Sequence, residues 1–136
     1  MKKLSRSKLI RELDRVFSIY IRLRDCNKDW IVICPLCGAR IPRKKSQNMH
    51  FISRWVLKYR YDENNCHAGC YRCNVILNWN YIVYTRWMQN KFGIEKIDEM
   101  INDKLIFKLR TPEIEEMIEE YLIKCRQLAN KKHLSL

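Results

Sequence analysis

Apolar residues recur at Leu9, Ile10, Leu13, Val16, Phe17, Tyr20 and Ile21. This i, i+3, i+4 spacing lines one face of an α-helix and predicts an amphipathic helix over residues 4–24. Arg11, Arg15, Arg22 and Arg24 fall off the stripe and read as its solvated face. The period then changes: Trp30-Ile31-Val32-Ile33 is a short β-rich run, and residues 39–42 are placed to return as the second arm of a hairpin. Met49-His50-Phe51-Ile52 reads as a further strand, and residues 62–69 are polar and turn-like. Ile76, Trp79, Val83, Trp87 and Met88 predict one helix from Cys70 or Tyr71 to Phe92, closed by Gly93. The aromatics Trp79, Tyr81, Tyr84 and Trp87 within it read as core. Ile97, Met100 and Ile101 mark a short helix over residues 94–103. Thr111-Pro112-Glu113 then offers a capping hydroxyl, an early proline and an acid, the start of a last helix that runs to Asn130. That helix is expected to pack on the first helix or on a second copy of the chain, which leaves a homodimer open.

The 136 residues therefore predict one α+β domain, mainly helical: an N-terminal helix (1–26), a small β-containing core (30–92) and C-terminal helices (94–131). Composition adds a partner class. Twenty-seven Lys and Arg against fifteen acids give a net charge of +12, a field that concentrates polyanions and points first to nucleic acid. No apolar run approaches a membrane span, and no signal-peptide core precedes the first helix, so a cytoplasmic setting and no membrane partner are expected.

The cysteines bring in chemistry. Cys34-Pro35-Leu36-Cys37-Gly38 has the form of a zinc knuckle, and Cys70 and Cys73 form a second Cys-x-x-Cys pair at a predicted helix start. Zn²⁺ takes four tetrahedral thiolate ligands, and each pair supplies two of them, so Cys34, Cys37, Cys70 and Cys73 are expected to hold a structural zinc ion in a treble-clef arrangement. Cys26, Cys66 and Cys125 lack a partner motif and read as ordinary small residues.

Between the pairs stand His50 and Asn65, and Asn74 follows Cys73 directly. A neutral imidazole can accept a proton from water near neutral pH, and amide oxygens suit hard cations such as Mg²⁺ or Mn²⁺. From residue 40 to 61 there are seven basic residues and no acid. Arg43, Lys44, Lys45, Arg54, Lys58 and Arg60 of this run, with Arg72 beyond it, are candidate phosphate contacts.

Cys-x-x-Cys, His50, Asn65 and Cys-x-x-Cys-Asn together resemble the zinc-bracketed HNH, or ββα-metal, nucleases, with the Cys-Asn ending similar to that of phage endonuclease VII. The segments IYIRLRD (19–25), CPLCG, HFISR, RYDENNCHAGCYRCN and NWNYIVYTRWMQNKFG resemble the phage NinG (Rap) recombination proteins over residues 13–105. This resemblance implies a metal-dependent endonuclease acting on branched DNA such as Holliday junctions and D-loops. Its catalytic set would be His50 as general base, Asn65 as support and Asn74 as ligand of the catalytic cation. It departs from the HNH pattern at Met49, where many such nucleases carry an acid. Asp62, Glu63 and His67 are candidates for the vacant ligand role, His67 first. The longer NinG-like chains carry an additional N-terminal cysteine-bearing segment, for which these residues show no counterpart. The competing expectations are a treble-clef DNA-binding module with little or no nuclease activity, and a zinc-stapled protein adaptor.

Overall fold

The computed structural model describes residues 3–133. Helix α1 (Arg6–Asp25) forms as the stripe predicts, with Leu13, Val16, Phe17 and Ile21 almost wholly buried. The Ser5 hydroxyl caps it by accepting from the Lys8 N–H.

Strand β1 (Ile31–Ile33) pairs antiparallel with β2 (Arg40–Pro42), Val32 opposite Ile41. The knuckle between them closes through Gly38, whose φ of +78° favours glycine. After a 3₁₀ turn at Arg43–Lys45, β3 (Gln47–His50) pairs antiparallel with β4 (Cys66–Gly69), Met49 opposite His67 and His50 opposite Cys66. A single helical turn, α2 (Leu57–Arg60), lies in the long connection. The expected strand thus ends at His50 rather than Ile52, and the expected turn at residues 62–69 is a fully buried strand in its second half. Cys-His-Ala-Gly carries no β-branched residue. Pairing and burial on both faces supply what intrinsic preference lacks.

The helix expected over residues 70–92 is interrupted. Arg72–Ile76 is wound as a π-turn, and Asn78, Trp79 and Asn80 all take positive φ (46°, 67° and 45°) before α3 (Tyr81–Phe92) begins. Asparagine tolerates that conformation and tryptophan does not favour it. The break turns Ile76, Trp79 and Val83, expected inward, to the surface, and Tyr81, expected in the core, is half exposed. Gly93 ends α3 with φ +92°, and α4 (Ile94–Asn102) follows. The last helix, α5 (Thr111–Lys131), starts at Thr111 itself. No side chain caps it, so the expected hydroxyl cap is absent and Pro112 and Glu113 carry the start.

The β3–β4 hairpin divides two cores. On one side α1 packs against α5, with Phe17 meeting the edges of Tyr121 and Tyr61 at ring-centroid distances of 5.0 and 5.6 Å, and Cys66 and Ala68 joining from β4. On the other, Met49, Phe51, Cys34, Cys70 and Cys73 pack with Tyr84 and Met88 of α3 and Ile97 and Met100 of α4. The last helix therefore covers the first within one chain. Among the described residues, no helix is long and apolar enough to cross a membrane.

Candidate metal centre and adjoining cleft

The two Cys-x-x-Cys pairs converge. Cys34 and Cys37 lie on the knuckle after β1, Cys70 and Cys73 on the turn after β4, and the four sulfurs all stand within 4.8 Å of one another. Cys37 and Cys70 are 3.6 Å apart, close to the ~3.8 Å edge of a tetrahedron with Zn–S bonds of about 2.3 Å. Burial and the neighbouring thiols push Cys73 up to about 12, and burial raises Cys34, whereas the Ala39 N–H draws Cys37 down. A divalent ion removes the cost of gathering these sulfurs, so the group could hold a metal such as zinc. The Cys73 N–H and the Asn80 side-chain amide point at cluster sulfurs, at 3.4 Å to Cys70 and 3.8 Å to Cys73, which ties the left-handed turn to the cysteine cluster. Cys26, Cys66 and Cys125 are buried apart from it.

Across the hairpin lies a cleft of about 460 Å³ between α1, β3 and the π-turn. His50 lines it. Its Nε2 is 3.0 Å from the Arg60 carbonyl, which can only accept, so Nε2 carries the proton and Nδ1 keeps its lone pair. Burial lowers the His50 pKa, aided by the Arg54 guanidinium and opposed by the Arg60 carbonyl. The peptide that holds His50 is itself held twice. Asn65, fully buried, donates to the Ile52 and Tyr59 carbonyls and accepts from the Ile52 N–H, riveting the loop of residues 51–65 at its base. Asp14 of α1 accepts from Arg60 Nε and Nη2 at 3.0 and 2.6 Å and from Tyr61 Oη at 2.8 Å.

Asn74 enters the same cleft from the π-turn. Its Nδ2 is 3.5 Å from Gln47 Oε1, and its Oδ1 is buried without a hydrogen-bond partner. Buried polar atoms are nearly always paired, so such an oxygen marks a place for a ligand. His50 and Asn74 thus line one cleft, whereas Asn65 does not reach it and braces the loop behind His50.

The three candidates for the vacant ligand role are not brought to the cleft. His67 sits on the opposite face of the hairpin, buried, with Nδ1 2.9 Å from Tyr84 Oη and the Trp87 ring 4.6 Å away between centroids. Burial, aided by Arg24, lowers its pKa to about 3. Glu63 accepts from Tyr20, Tyr121 and Lys124, and Asp62 turns back to the Asn64 N–H.

The basic residues divide as well. Lys44, Lys45 and Arg72 are exposed, and Arg54 lines the cleft while pairing with Asp14 at 3.1 Å. Arg60 is bound to Asp14, Lys58 to Asp103, and Arg43 is buried over the Trp30 ring. These three serve the fold. Sequence reasoning missed Asp14, Gln47 and Asn48, which also line the cleft. An acid among helix-surface residues and two polar residues ahead of a strand carry no motif, so no local signal marked them.

No solved structure matches the chain at a significant level. Among sequences, the chain is similar to protein ninG of Salmonella phage P22, 24% identical over 127 residues that make up 93% of this chain and 61% of that protein. The ninG proteins of Escherichia phage 933W and Enterobacteria phage VT2-Sa match with the same identity and coverage, so the chain spans about three fifths of the length of these relatives. The family described as Bacteriophage Lambda NinG protein matches residues 1–132, nearly the whole chain. The chain therefore belongs to the NinG family.

Proposed function

We propose that this protein is a metal-dependent endonuclease that hydrolyses phosphodiester bonds in branched DNA recombination intermediates. The observation that carries the reading is the pairing, in one cleft, of His50 with its tautomer set by a carbonyl and Asn74 with a buried, unpartnered oxygen. In this reading the hairpin β3–β4 and the turn bearing Asn74 correspond to the ββα unit of the HNH nucleases. The cysteine cluster, holding zinc, staples that unit.

In this reading His50 Nδ1 takes a proton from the attacking water while Nε2–H stays on the Arg60 carbonyl. Asn65 and Asp14 keep that carbonyl in place. Arg54, at the cleft wall, receives a phosphate in exchange for Asp14, and Lys44, Lys45 and Arg72 neutralise further phosphates. The unpartnered Asn74 oxygen fits a hard cation, and Mg²⁺ or Mn²⁺ held there would stabilise the leaving 3′ oxygen.

The test is cleavage of linear, flapped and four-way DNA by the zinc-loaded protein with Mg²⁺ or Mn²⁺. Cutting of branched DNA is expected, with His50→Ala slower by ~100-fold or more. Equal cutting by the variant removes His50 as the base. Salt-sensitive DNA binding by both proteins without cutting leaves a DNA-binding module.

A further inference from the structure

We infer that Asn48 is a second protein ligand for the cation that the nuclease reading assigns to Asn74, in the role that Met49 cannot take. The inference rests on that reading. Met49 is fully buried in the core against α3, on the face of the hairpin that also carries His67. Side chains alternate along a strand, so Asn48 and His50 share the other face, and both line the cleft.

Among the described residues, the buried side-chain oxygens without a hydrogen-bond partner are Asn48 Oδ1 and Asn74 Oδ1. They reach one cleft from two elements, a strand and the turn across from it. Leaving two amide oxygens desolvated and unpaired is unfavourable, and a shared electropositive ligand removes both penalties. Gln47 contributes as a positioning residue: by taking the Asn74 amide N–H₂ it leaves the Asn74 oxygen as the free end. Asp14 is the acid lining this cleft, and Arg54, Arg60 and Tyr61 already occupy both of its oxygens.

Neutral amide oxygens are hard ligands suited to Mg²⁺ or Mn²⁺, which commonly keep several waters and complete their shell with phosphate oxygens. A site with two neutral protein ligands carries no charge of its own to hold the ion. Cation and DNA should therefore strengthen each other's binding.

The test titrates zinc-loaded protein with Mn²⁺ and counts the free ion by electron paramagnetic resonance, with and without four-way DNA in a non-cleavable form. Asn48→Leu, which removes the oxygen at similar volume, should weaken Mn²⁺ by ~10-fold or more, as should Asn74→Leu. Asn48→Asp, which adds a charge at constant shape, should tighten it. Mn²⁺ binding by Asn48→Leu equal to that of the parent, with Asn74→Leu impaired, overturns the Asn48 assignment and leaves the nuclease reading standing. If the leucine variant does not fold, unchanged affinity in Asn48→Asp overturns the assignment by itself. A parent that binds no Mn²⁺ beyond the cysteine cluster, with or without DNA, overturns both.

Discussion

His50 and His67 stand on paired strands of one hairpin, one register step apart, and have been put to opposite uses. His67 faces α3, where Tyr84 and Trp87 enclose it and its pKa falls to about 3. It is a neutral packing group on the side that holds the cysteine cluster. His50 faces α1, held at Nε2 by a carbonyl, with a cleft beside it and two unpartnered amide oxygens nearby. Because a strand alternates its side chains, one residue of offset separates a closed interior that carries the four-cysteine cluster from an open site with unsatisfied chemistry.

The contrast is tested most strongly by loading the cysteine cluster with zinc and then chelating it. Structural zinc in small sites is worth ~10–16 kcal/mol at neutral pH, more than most domains have to spare. Chelation is expected to abolish the cooperative unfolding transition seen by circular dichroism, and a transition that survives would mean that the closed side stands without its ion. Gly69→Ala is next. A Cβ there would collide with the Met49 thioether and come within 3.3 Å of Cys34 Sγ, so a loss of ~1–3 kcal/mol in urea unfolding is expected.

Acid provides a third test. A histidine with a folded pKa below its unfolded value of about 6.5 binds fewer protons when folded, so stability is full above pH ~6.5 and falls with pH towards about 3. Arg24, Asp25 and Lys91 are the charged groups acting on His67, and burial outweighs them. The slope is at most ~1.4 kcal/mol per pH unit for one group. His67→Gln should flatten the profile, and a mutant that loses stability with pH as steeply as the parent would show that burial of His67 is not the source.

The smallest effect is at the cleft. Arg54→Ala should remove one phosphate contact and flatten the dependence of log K on log salt by ~0.9. An unchanged slope would mean that Arg54 does not reach the DNA.

Much of this was legible in the chain. The α1 stripe, the knuckle with Gly38, the four cysteines and the Gly93 stop each depend on residues a few positions apart, where spacing determines geometry. His50, Asn65 and Asn74 were singled out by their place around the cysteine pairs and by the family resemblance, and of the three His50 and Asn74 line the cleft. What stayed hidden has long-range causes. Strand β4 exists because β3 pairs with it. The helix over residues 70–92 breaks where Asn80 turns back to Cys73. Asp14 reaches Arg60 across 46 positions of sequence, and Asn48 gains meaning only when Asn74 stands in the same cleft. Local spacing determined the two cysteine pairs and the first and last helices. Tertiary structure decided which histidine faces the cleft, because only the packing of α1 and α3 on opposite faces of the hairpin makes one face closed and the other open.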